Sequence, residues 1–423
     1  MNMIIKNIYS AITILVLALL AACTGMDHYY QDMIKEGPIV YPGKVVGVQT
    51  FTGKNRIRFS MTTYPDPSVE KVWVKWTYRG VSDSLSADVT KGREYNTSDI
   101  LLESLEEDNY TFFFTTVDSK GNRSVPFEIP ANVYGENYQN AIQNIFVRGA
   151  KYEDGLLTLD LSTSSDSGAL GSVFYYEGIV GEDKTLFVEN GTETITIDDF
   201  KPASPLTYQS LFVPGSHALD TFYTNTQNLR VLNVVPLKNR AIPFQIEGRS
   251  GRWGTLADWI TNDAIKVHNG YGGWDERNGN IFNVETGWGA VPDGITNGKI
   301  HQTFVLGPGT YTFKANFRLV NGVPDTWNEG QGDQVYLVVG KGAEIPDVEV
   351  IETSDETLGF VRILRSNSPD AFQITFTITD DTEVSVGFAT TQPGGQVSQQ
   401  YPDTSNGRHC NIESFEFFGI WGL

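Results

Sequence analysis

Residues 72–78 read Val-Trp-Val-Lys-Trp-Thr-Tyr, an alternation in which Val72, Val74, Trp76 and Tyr78 fall on one side. Successive side chains of a β-strand point to opposite faces, so these four residues share one face. Similar period-two runs recur along the chain, separated by turn residues, and the composition includes 42 glycines and 18 prolines. No long helical pattern interrupts them. The sequence therefore predicts an all-β chain.

The strand patterns are typical of a β-sandwich and occur twice. Leu105 followed by Tyr110, near the start of a late strand, resembles the tyrosine corner of fibronectin type III domains. The same order returns further on, where an apolar strand at Ile195–Ile197 leads through a turn to a strand that begins at Tyr208. We therefore predict two tandem fibronectin type III-like sandwiches, which we expect to act as spacers.

The character of the chain changes near Leu237. Glycine and tryptophan are frequent from Trp253 to Trp288, and about eight strands follow, which fits a jelly-roll sandwich. The predicted organisation is a signal peptide (1–22), a spacer (23–37), two sandwiches (38–135 and 136–236), a linker (237–251) and a jelly-roll β-sandwich (252–423).

The N-terminus has the pattern of a bacterial lipoprotein signal. Lys6 precedes an apolar run from Ile8 to Leu19, which ends in Leu-Ala-Ala-Cys at residues 20–23. The run is short for a membrane span, and the small residues before the cysteine fit cleavage at that point. We predict that Cys23 is lipidated and anchors the protein to a lipid bilayer outside the cytoplasm. An ordinary signal peptide that happens to end at a cysteine is the alternative.

The net charge of the chain limits which classes of ligand it can bind. The net charge is −20, and residues 245–423 hold 23 acidic and 11 basic side chains. A negative field of this size repels polyanions, which argues against nucleic acid and heavily sulfated glycans as ligands.

Besides Cys23 the chain contains only Cys410. No intrachain disulfide can form once Cys23 is lipidated, and we expect Cys410 to be a small buried residue.

Tryptophans point to a carbohydrate ligand, because six of the eight lie in residues 252–423. A sugar ring has an apolar C–H face and an equator of hydroxyls, so it suits an exposed aromatic ring beside polar side chains. The glycine-rich stretch 268–278 and the polar stretch 321–333 are predicted to be loops of this kind. The predicted ligand-binding residues are Tyr271, Trp274, Asp275, Arg277, Asn278, Trp288, Trp327 and Asn328.

Core packing is the alternative for each tryptophan. We expect Trp253, Trp259 and Trp421 to pack in the core or at an edge, and the sequence leaves Trp288 open. Trp274 and Trp327 are expected to be exposed.

Residues 298–313 and the closing strand at 411–417 resemble the galactose-binding-like jelly rolls of carbohydrate-binding modules. The layout of the whole chain after Cys23 is similar to that of Bacteroidota surface lipoproteins of the SusE and SusF glycan-binding type. This resemblance implies an outer-membrane lipoprotein that captures neutral glycan for polysaccharide uptake, with an outer-membrane transporter complex as a partner. No acidic run directly follows Cys23. The sequence therefore leaves open whether the protein faces outward or into the periplasm.

The same resemblance implies a structural calcium ion between the first and last strands of the jelly roll. Calcium binds six to eight oxygen atoms, largely from carboxylates and backbone carbonyls. Glu413, on the final strand, is the candidate ligand, with Asp258 or Glu285 as a partner. Ordinary solvated carboxylates are the alternative.

Motifs of catalysis are missing from the sequence. The five histidines form no His-Glu-x-x-His, and neither a Gly-x-Ser-x-Gly elbow nor a phosphate-binding loop occurs. We therefore predict a protein that is not an enzyme. Two alternatives stay open: a cell-surface adhesin or protein-binding assembly component, and a glycoside hydrolase whose paired carboxylates only a structure could identify.

Overall fold

The computed structural model describes residues 2–21, 40–287, 294–321, 334–364, 372–392 and 408–422. The apolar N-terminal run lies in a helix, α1 (Asn2–Ala21), and within the described ranges no helix is both long and apolar enough to cross a membrane. Nearly all other regular structure is β-strand, which confirms the all-β prediction. The chain divides into two compact units, one of Met1–Ala141 with Val213–Thr221, the other of Ile142–Phe212 with Phe222–Leu423.

The first unit contains a β-sandwich of a three-stranded and a four-stranded sheet, with strand orders β1-β2-β5 and β4-β3-β6-β7. This arrangement is that of a fibronectin type III-like domain. Its elements are β1 (Val45–Gly53), β2 (Arg56–Thr63), β3 (Val69–Tyr78), β4 (Val81–Asp88), β5 (Asn96–Leu102), β6 (Asp108–Asp118), β7 (Phe127–Val133) and helix α2 (Glu136–Ala141).

The predicted tyrosine corner is confirmed. Tyr110 is buried near the start of β6, and its hydroxyl donates a hydrogen bond to the backbone carbonyl of Glu106 (3.0 Å). Burial raises the pKa of Tyr110 to about 12. Val72, Val74 and Trp76 are buried in the same core, as their alternation predicts.

The second unit begins with a sandwich of similar layout. Its sheets have the orders β12-β9-β8 and β11-β10-β13-β14, with β15 also paired to β13. The strands are β8 (Val147–Glu153), β9 (Leu156–Leu161), β10 (Ala169–Glu177), β11 (Asp183–Glu189), β12 (Thr194–Ile197), β13 (Thr207–Phe212), β14 (Phe222–Tyr223), β15 (Gln227–Asn228) and β16 (Val231–Val234).

A C-terminal sandwich completes the second unit. One sheet has the order β19-β22-β27-β24-β25, and the facing sheet contains β17, β18, β20, β21, β28, β23 and β26. The elements are β17 (Ile246–Ser250), β18 (Trp253–Leu256), β19 (Ile260–Thr261), a 3₁₀ turn (Asp263–Ile265), β20 (Gly273–Asp275), a short helical turn (Arg277–Asn280), β21 (Ile281–Thr286), β22 (Ile295–Leu306), β23 (Gly309–Asn321), β24 (Gln334–Lys341), β25 (Thr357–Arg362), β26 (Gln373–Ile378), β27 (Thr382–Gln392) and β28 (Arg408–Trp421).

Strand β28 serves both sandwiches of the second unit. Its N-terminal part pairs with β21, whereas its last four residues pair with β16, which in turn pairs with β8. Trp421, at the end of β28, is buried in the core of the preceding sandwich, where its ring lies 5.2 Å from that of Tyr152. One continuous sheet therefore joins the two sandwiches.

The C-terminal sandwich has its own apolar core between its two sheets. The segment predicted as a linker, 237–251, contributes Leu237 and Phe244 to this core. Trp259 and Cys410 are buried there too, which confirms the expectation for both. The Trp259 indole N–H donates a hydrogen bond to the Asn239 carbonyl (3.0 Å), so its one polar group is satisfied.

Candidate functional site

Strands β18, β20, β21 and β28 carry a buried polar cluster on the face of the sheet that points away from the core. The strand register places Trp253 opposite Asp275, and Asn283 opposite Asn411. Residues between them along the strands, such as Trp274 and Phe282, point into the core. We use the name outer-face cluster for Arg252, Trp253, His268, Asp275, Asn283, Glu285 and Asn411.

An ion pair lies at the centre of the outer-face cluster. Asp275 is only 1% exposed, and the Arg252 guanidinium donates to both of its carboxylate oxygens, with Nε 2.6 Å from Oδ1. The backbone N–H of Arg277 donates to Oδ1 as well (2.9 Å). Burial alone would raise the pKa of Asp275, but these hydrogen bonds outweigh it and hold the pKa below its ordinary value. Asp275 is therefore a buried, fully engaged carboxylate.

Asn283 connects this ion pair to a second buried carboxylate. Its side-chain Nδ2 donates to Asp275 Oδ2 and to Glu285 Oε2, both at 2.9 Å. These two bonds use both amide hydrogens and so determine the orientation of the amide group. Burial raises the pKa of Glu285, although the hydrogen bond from Asn283 and the charge of Arg252 oppose the shift.

Trp253 provides the aromatic part of the cluster. Its ring is half-buried, and the His268 ring stacks on it with 4.0 Å between centroids and 10° between planes. The Arg252 guanidinium lies 4.3 Å from the centroid of the Trp253 ring. His268 Nε2 bonds to the Glu285 carbonyl (3.0 Å), and burial lowers the pKa of His268. The indole of Trp253 is thus held in place by neighbours that are themselves hydrogen-bonded.

Trp274 was expected to be an exposed ligand-binding residue, and the expected exposure is wrong. The side chain is 2% exposed, belongs to the core, and donates its indole N–H to the Phe244 carbonyl (3.0 Å). The glycines before it permit close packing rather than a loose loop, since a Cβ atom on Gly272 would lie 2.1 Å from the Ile265 carbonyl oxygen. Gly273 itself begins β20.

Three other predicted residues lie near the cluster. Tyr271 is half-buried; its backbone N–H donates to the His268 carbonyl (2.9 Å), and its carbonyl accepts from the His268 N–H (3.2 Å). Arg277 and Asn278 are exposed on the short helical turn after β20. The structure thus brings Tyr271, Asp275, Arg277 and Asn278 to one region of the C-terminal sandwich. Trp288, Trp327, Asn328 and the lipidation residue Cys23 lie outside the described residues.

Glu413, the carboxylate predicted to bind calcium, forms an ion pair in this structure. Glu413 pairs with the guanidinium of Arg318 (Nε to Oε1, 2.5 Å), and Arg318 also donates to the Asn278 carbonyl (2.9 Å). In the part of the chain that the structure describes, no group of three Asp, Glu, His or Cys side chains is placed to hold a metal ion. Calcium binding by Glu413 with Asp258 or Glu285 therefore stays a prediction, and a calcium ion there would compete with the Arg318 guanidinium for the Glu413 carboxylate.

Sequence reasoning did not select Arg252, Asn283 or Asn411 as site residues. It included His268 only within the stretch 268–278, and it expected Trp253 to pack in the core or at an edge. One signal was present: polar residues alternate with apolar ones at 282–285 and again at 409–412. Alternation predicts an outward face, but it does not predict that this polar face is buried and internally hydrogen-bonded.

Comparisons with known proteins match whole domains of the chain and give no information about the residues of the outer-face cluster. A family model of a domain of unknown function, DUF4998, matches residues 23–222, and a second, DUF5013, matches residues 238–387. No curated protein matches the chain.

Among solved structures, the chain is similar to a two-domain fibronectin type III segment of chicken tenascin, with 10% identity, a TM-score of 0.21, and coverage of 44% of this chain and 97% of that one. It is also similar to domains FN1–FN3 of chicken CNTN1, with 14% identity, a TM-score of 0.25, and coverage of 45% and 67%. Identities this low carry no information about function.

Proposed function

We propose that this chain is a non-catalytic carbohydrate-binding lipoprotein that captures neutral glycan at the bacterial cell surface for polysaccharide uptake. Cys23 would carry the lipid in the outer membrane, and an outer-membrane transporter complex would be its partner, as the resemblance to the SusE and SusF layout implies. The galactose-binding-like jelly roll suggested by residues 298–313 would be the binding module.

The observation that carries this proposal is the half-buried Trp253 ring, stacked on His268 and flanked by Arg252. His268 and Arg252 lie over the two faces of this ring, so the exposed part of the indole is held in one orientation and would offer a sugar an apolar edge that loses little conformational freedom on binding. Exposed hydrogen-bonding side chains lie close by in Arg277 and Asn278. Aromatic surface beside polar groups is the arrangement that neutral saccharides require.

Trp253→Ala is expected to weaken glycan binding by up to about tenfold, since one aromatic contact contributes on the order of 0.5–1.5 kcal/mol. Affinity electrophoresis of the full mature chain against amylose, mannan, galactan, arabinoxylan and homogalacturonan identifies the glycan, and calorimetry then gives the affinities.

Trp73→Ala is a matched control, because Trp73 is also half-buried with an arginine over its ring (Arg123, 4.5 Å) but lies in the first unit. Equal losses in both variants, or no retarded migration of the wild type on any glycan, would contradict the proposal. Release of reducing ends would instead favour a glycoside hydrolase.

Cys23→Ala is expected to release the protein from membranes without changing its fold, because the diacylglycerol anchor is attached to that thiol. Fractionation of cells that express the wild type or the variant measures this. A variant that stays in the detergent-soluble membrane fraction would show that another feature anchors the chain.

A protein-binding role is the second candidate, and one observation favours it. Strand β4 pairs only with β3 among the described strands, so it lies at a sheet edge, and its Val81 and Leu85 are 72% and 47% exposed. An edge strand of this kind can pair with a strand of another protein. This adhesin function becomes the better one if the glycan panel is negative.

A further inference from the structure

A groove of about 480 Å³ lies where the two sandwiches of the second unit meet, and we call it the junction groove. The continuous sheet that joins the sandwiches forms its floor, with Tyr152 on β8, Asn233 on β16, Trp421 on β28 and Tyr311 on β23. Asn233 is paired with Tyr152 on one side and with Gly419 on the other, and Gly419 is paired with Tyr311. Neighbouring strands lie about 4.8 Å apart, so these residues follow one another across the groove.

Contacts within the fold hold the floor of the junction groove in one shape. The buried Trp421 ring lies 5.2 Å from the Tyr152 ring. The buried Tyr311 ring lies over Gly419, where a Cβ atom would come within 2.7 Å of it, and the Tyr311 hydroxyl donates to the Gly307 carbonyl (2.9 Å). A ligand would therefore meet a preformed surface, which lowers the entropic cost of binding.

Accessible side chains form the walls of the junction groove. Val305 is 76% exposed, next to the half-buried ring of Phe304, and residues 202–203 contribute an exposed proline and alanine from the preceding sandwich. Two hydrogen-bonding side chains are accessible as well, because Asp381 is exposed and Asn233 is half-buried. The groove therefore combines aromatic and aliphatic surface with a carboxylate and an amide, as small-molecule sites do.

The chemistry of this lining selects the class of ligand. Asp381 is the one charged group among the described residues that line the groove, so an anionic sugar would meet a like charge without a cation to pair with. A single exposed carboxylate also holds a cation only weakly. Sugar hydroxyls suit the polar groups, because the Asp381 carboxylate accepts and the Asn233 amide both donates and accepts. A methyl group suits the walls at Val305 and Ala203, where a buried hydroxyl would lack a side-chain partner.

We propose that the junction groove binds a neutral pyranose that carries a methyl group, as 6-deoxyhexoses and N-acetylhexosamines do. The hydroxyls of the sugar bond to Asp381 and Asn233, and its methyl group packs against Val305 and Ala203. This inference goes beyond the proposed function, because it identifies a second site that shares no residue with the outer-face cluster.

Matched pairs of sugars test the ligand class. The probes are the methyl glycosides of glucose and galactose together with their 6-deoxy and 2-acetamido counterparts, measured by calorimetry on the full mature chain. In the preferred pair we expect the methyl-bearing sugar to bind about fourfold more tightly, the ratio that burial of one methyl group provides. Equal affinities within every pair would overturn the assignment to a methyl-bearing sugar.

Val305→Trp tests the position of the site. Because Val305 is exposed at the wall, an indole there fills the groove without entering a core, and the affinity for the methyl-bearing sugar should fall at least about tenfold while the melting temperature stays the same. Val180→Trp is the matched control, since Val180 is 88% exposed between β10 and β11 and does not line the groove. It should leave the affinity unchanged.

Asp381→Asn tests the polar contact by removing a charge while keeping the shape of the side chain. The affinity should fall roughly fivefold, because a hydrogen bond to a charged acceptor contributes more than one to a neutral acceptor. Asp380→Asn is the control on the neighbouring residue, whose carboxylate accepts from the Thr379 hydroxyl (3.0 Å) and does not line the groove.

Losses of affinity in Val305→Trp and Asp381→Asn, with both controls unchanged, support the site. Sugar binding that Val305→Trp leaves unchanged overturns it, and a loss in Trp253→Ala would then assign that binding to the outer-face cluster and leave the proposed function standing. Binding of none of the glycosides also overturns the junction groove as a sugar site, whereas the polysaccharide panel tests the proposed function separately.

Discussion

Trp421→Ala is expected to lower the free energy of unfolding of the second unit by about 3–5 kcal/mol, the usual cost of truncating a buried tryptophan. Trp421 is 6% exposed and packs beside Tyr152, Leu229 and Val231 in the core of the sandwich that precedes the C-terminal one. It also ends β28, whose last residues pair with β16. Loss of this one ring should therefore loosen both sandwiches of the unit rather than the C-terminal one alone.

Hydrogen exchange followed by mass spectrometry measures this effect element by element. We expect faster exchange of the amides of β9 and β16 as well as those of β28 and β23, together with a lower denaturation midpoint. Ile420→Ala is the matched control on the same strand, because Ile420 is 36% exposed and its truncation should cost far less. Faster exchange confined to β28 and β23 would show that the shared strand does not couple the two sandwiches.

Arg252→Ala is expected to destabilise the second unit by about 3–5 kcal/mol, the range seen when one partner of a buried ion pair is removed. The substitution leaves Asp275, 1% exposed, without the guanidinium that binds both of its oxygens. The control is Arg249→Ala, since Arg249 pairs with Glu276 (3.1 Å) through side chains that are 42% and 54% exposed. An exposed pair of this kind contributes about 1 kcal/mol or less.

The pH dependence of the stability loss in Arg252→Ala shows whether the unpaired buried charge of Asp275 causes that loss. The folded protein holds the pKa of Asp275 below its ordinary value, so the pair contributes stability above the unfolded pKa, and this stability is lost as the pH falls through the folded pKa. In Arg252→Ala, Asp275 has lost its main stabilising charge, and the defect should be largest near neutral pH and shrink in acid as Asp275 becomes protonated. Adding Asp275→Asn should recover part of the loss at neutral pH. Urea denaturation at several pH values measures all three variants, and a defect independent of pH would mean that lost packing rather than the unpaired charge is responsible.

Features that depend on neighbouring residues could be predicted from the sequence. Alternation at 72–78 predicts a half-buried strand because the period of a strand is two, and Val72, Val74 and Trp76 are buried accordingly. The spacing from Leu105 to Tyr110 predicts a corner whose hydrogen bond joins residues only four apart. The burial of Cys410 within an apolar run follows from the same kind of local evidence.

Features that depend on distant residues were decided by the tertiary structure. Glycine beside tryptophan predicts an exposed loop when only composition is considered, but Trp274 is buried because Gly272 and Gly273 let the backbone approach Ile265 and Ile300. Likewise, nothing in the residues near Trp421 indicates that it packs against Tyr152, far away along the chain.

The candidate site is of this second kind. Arg252 and Asp275 are 23 residues apart, and Asn411 meets Asn283 only because β28 returns beside β21. Strand alternation predicts that these polar side chains leave the core, since that depends on local backbone geometry. Which carboxylate receives the guanidinium depends on strand pairing between distant segments, and a single sequence contains no local signal for that.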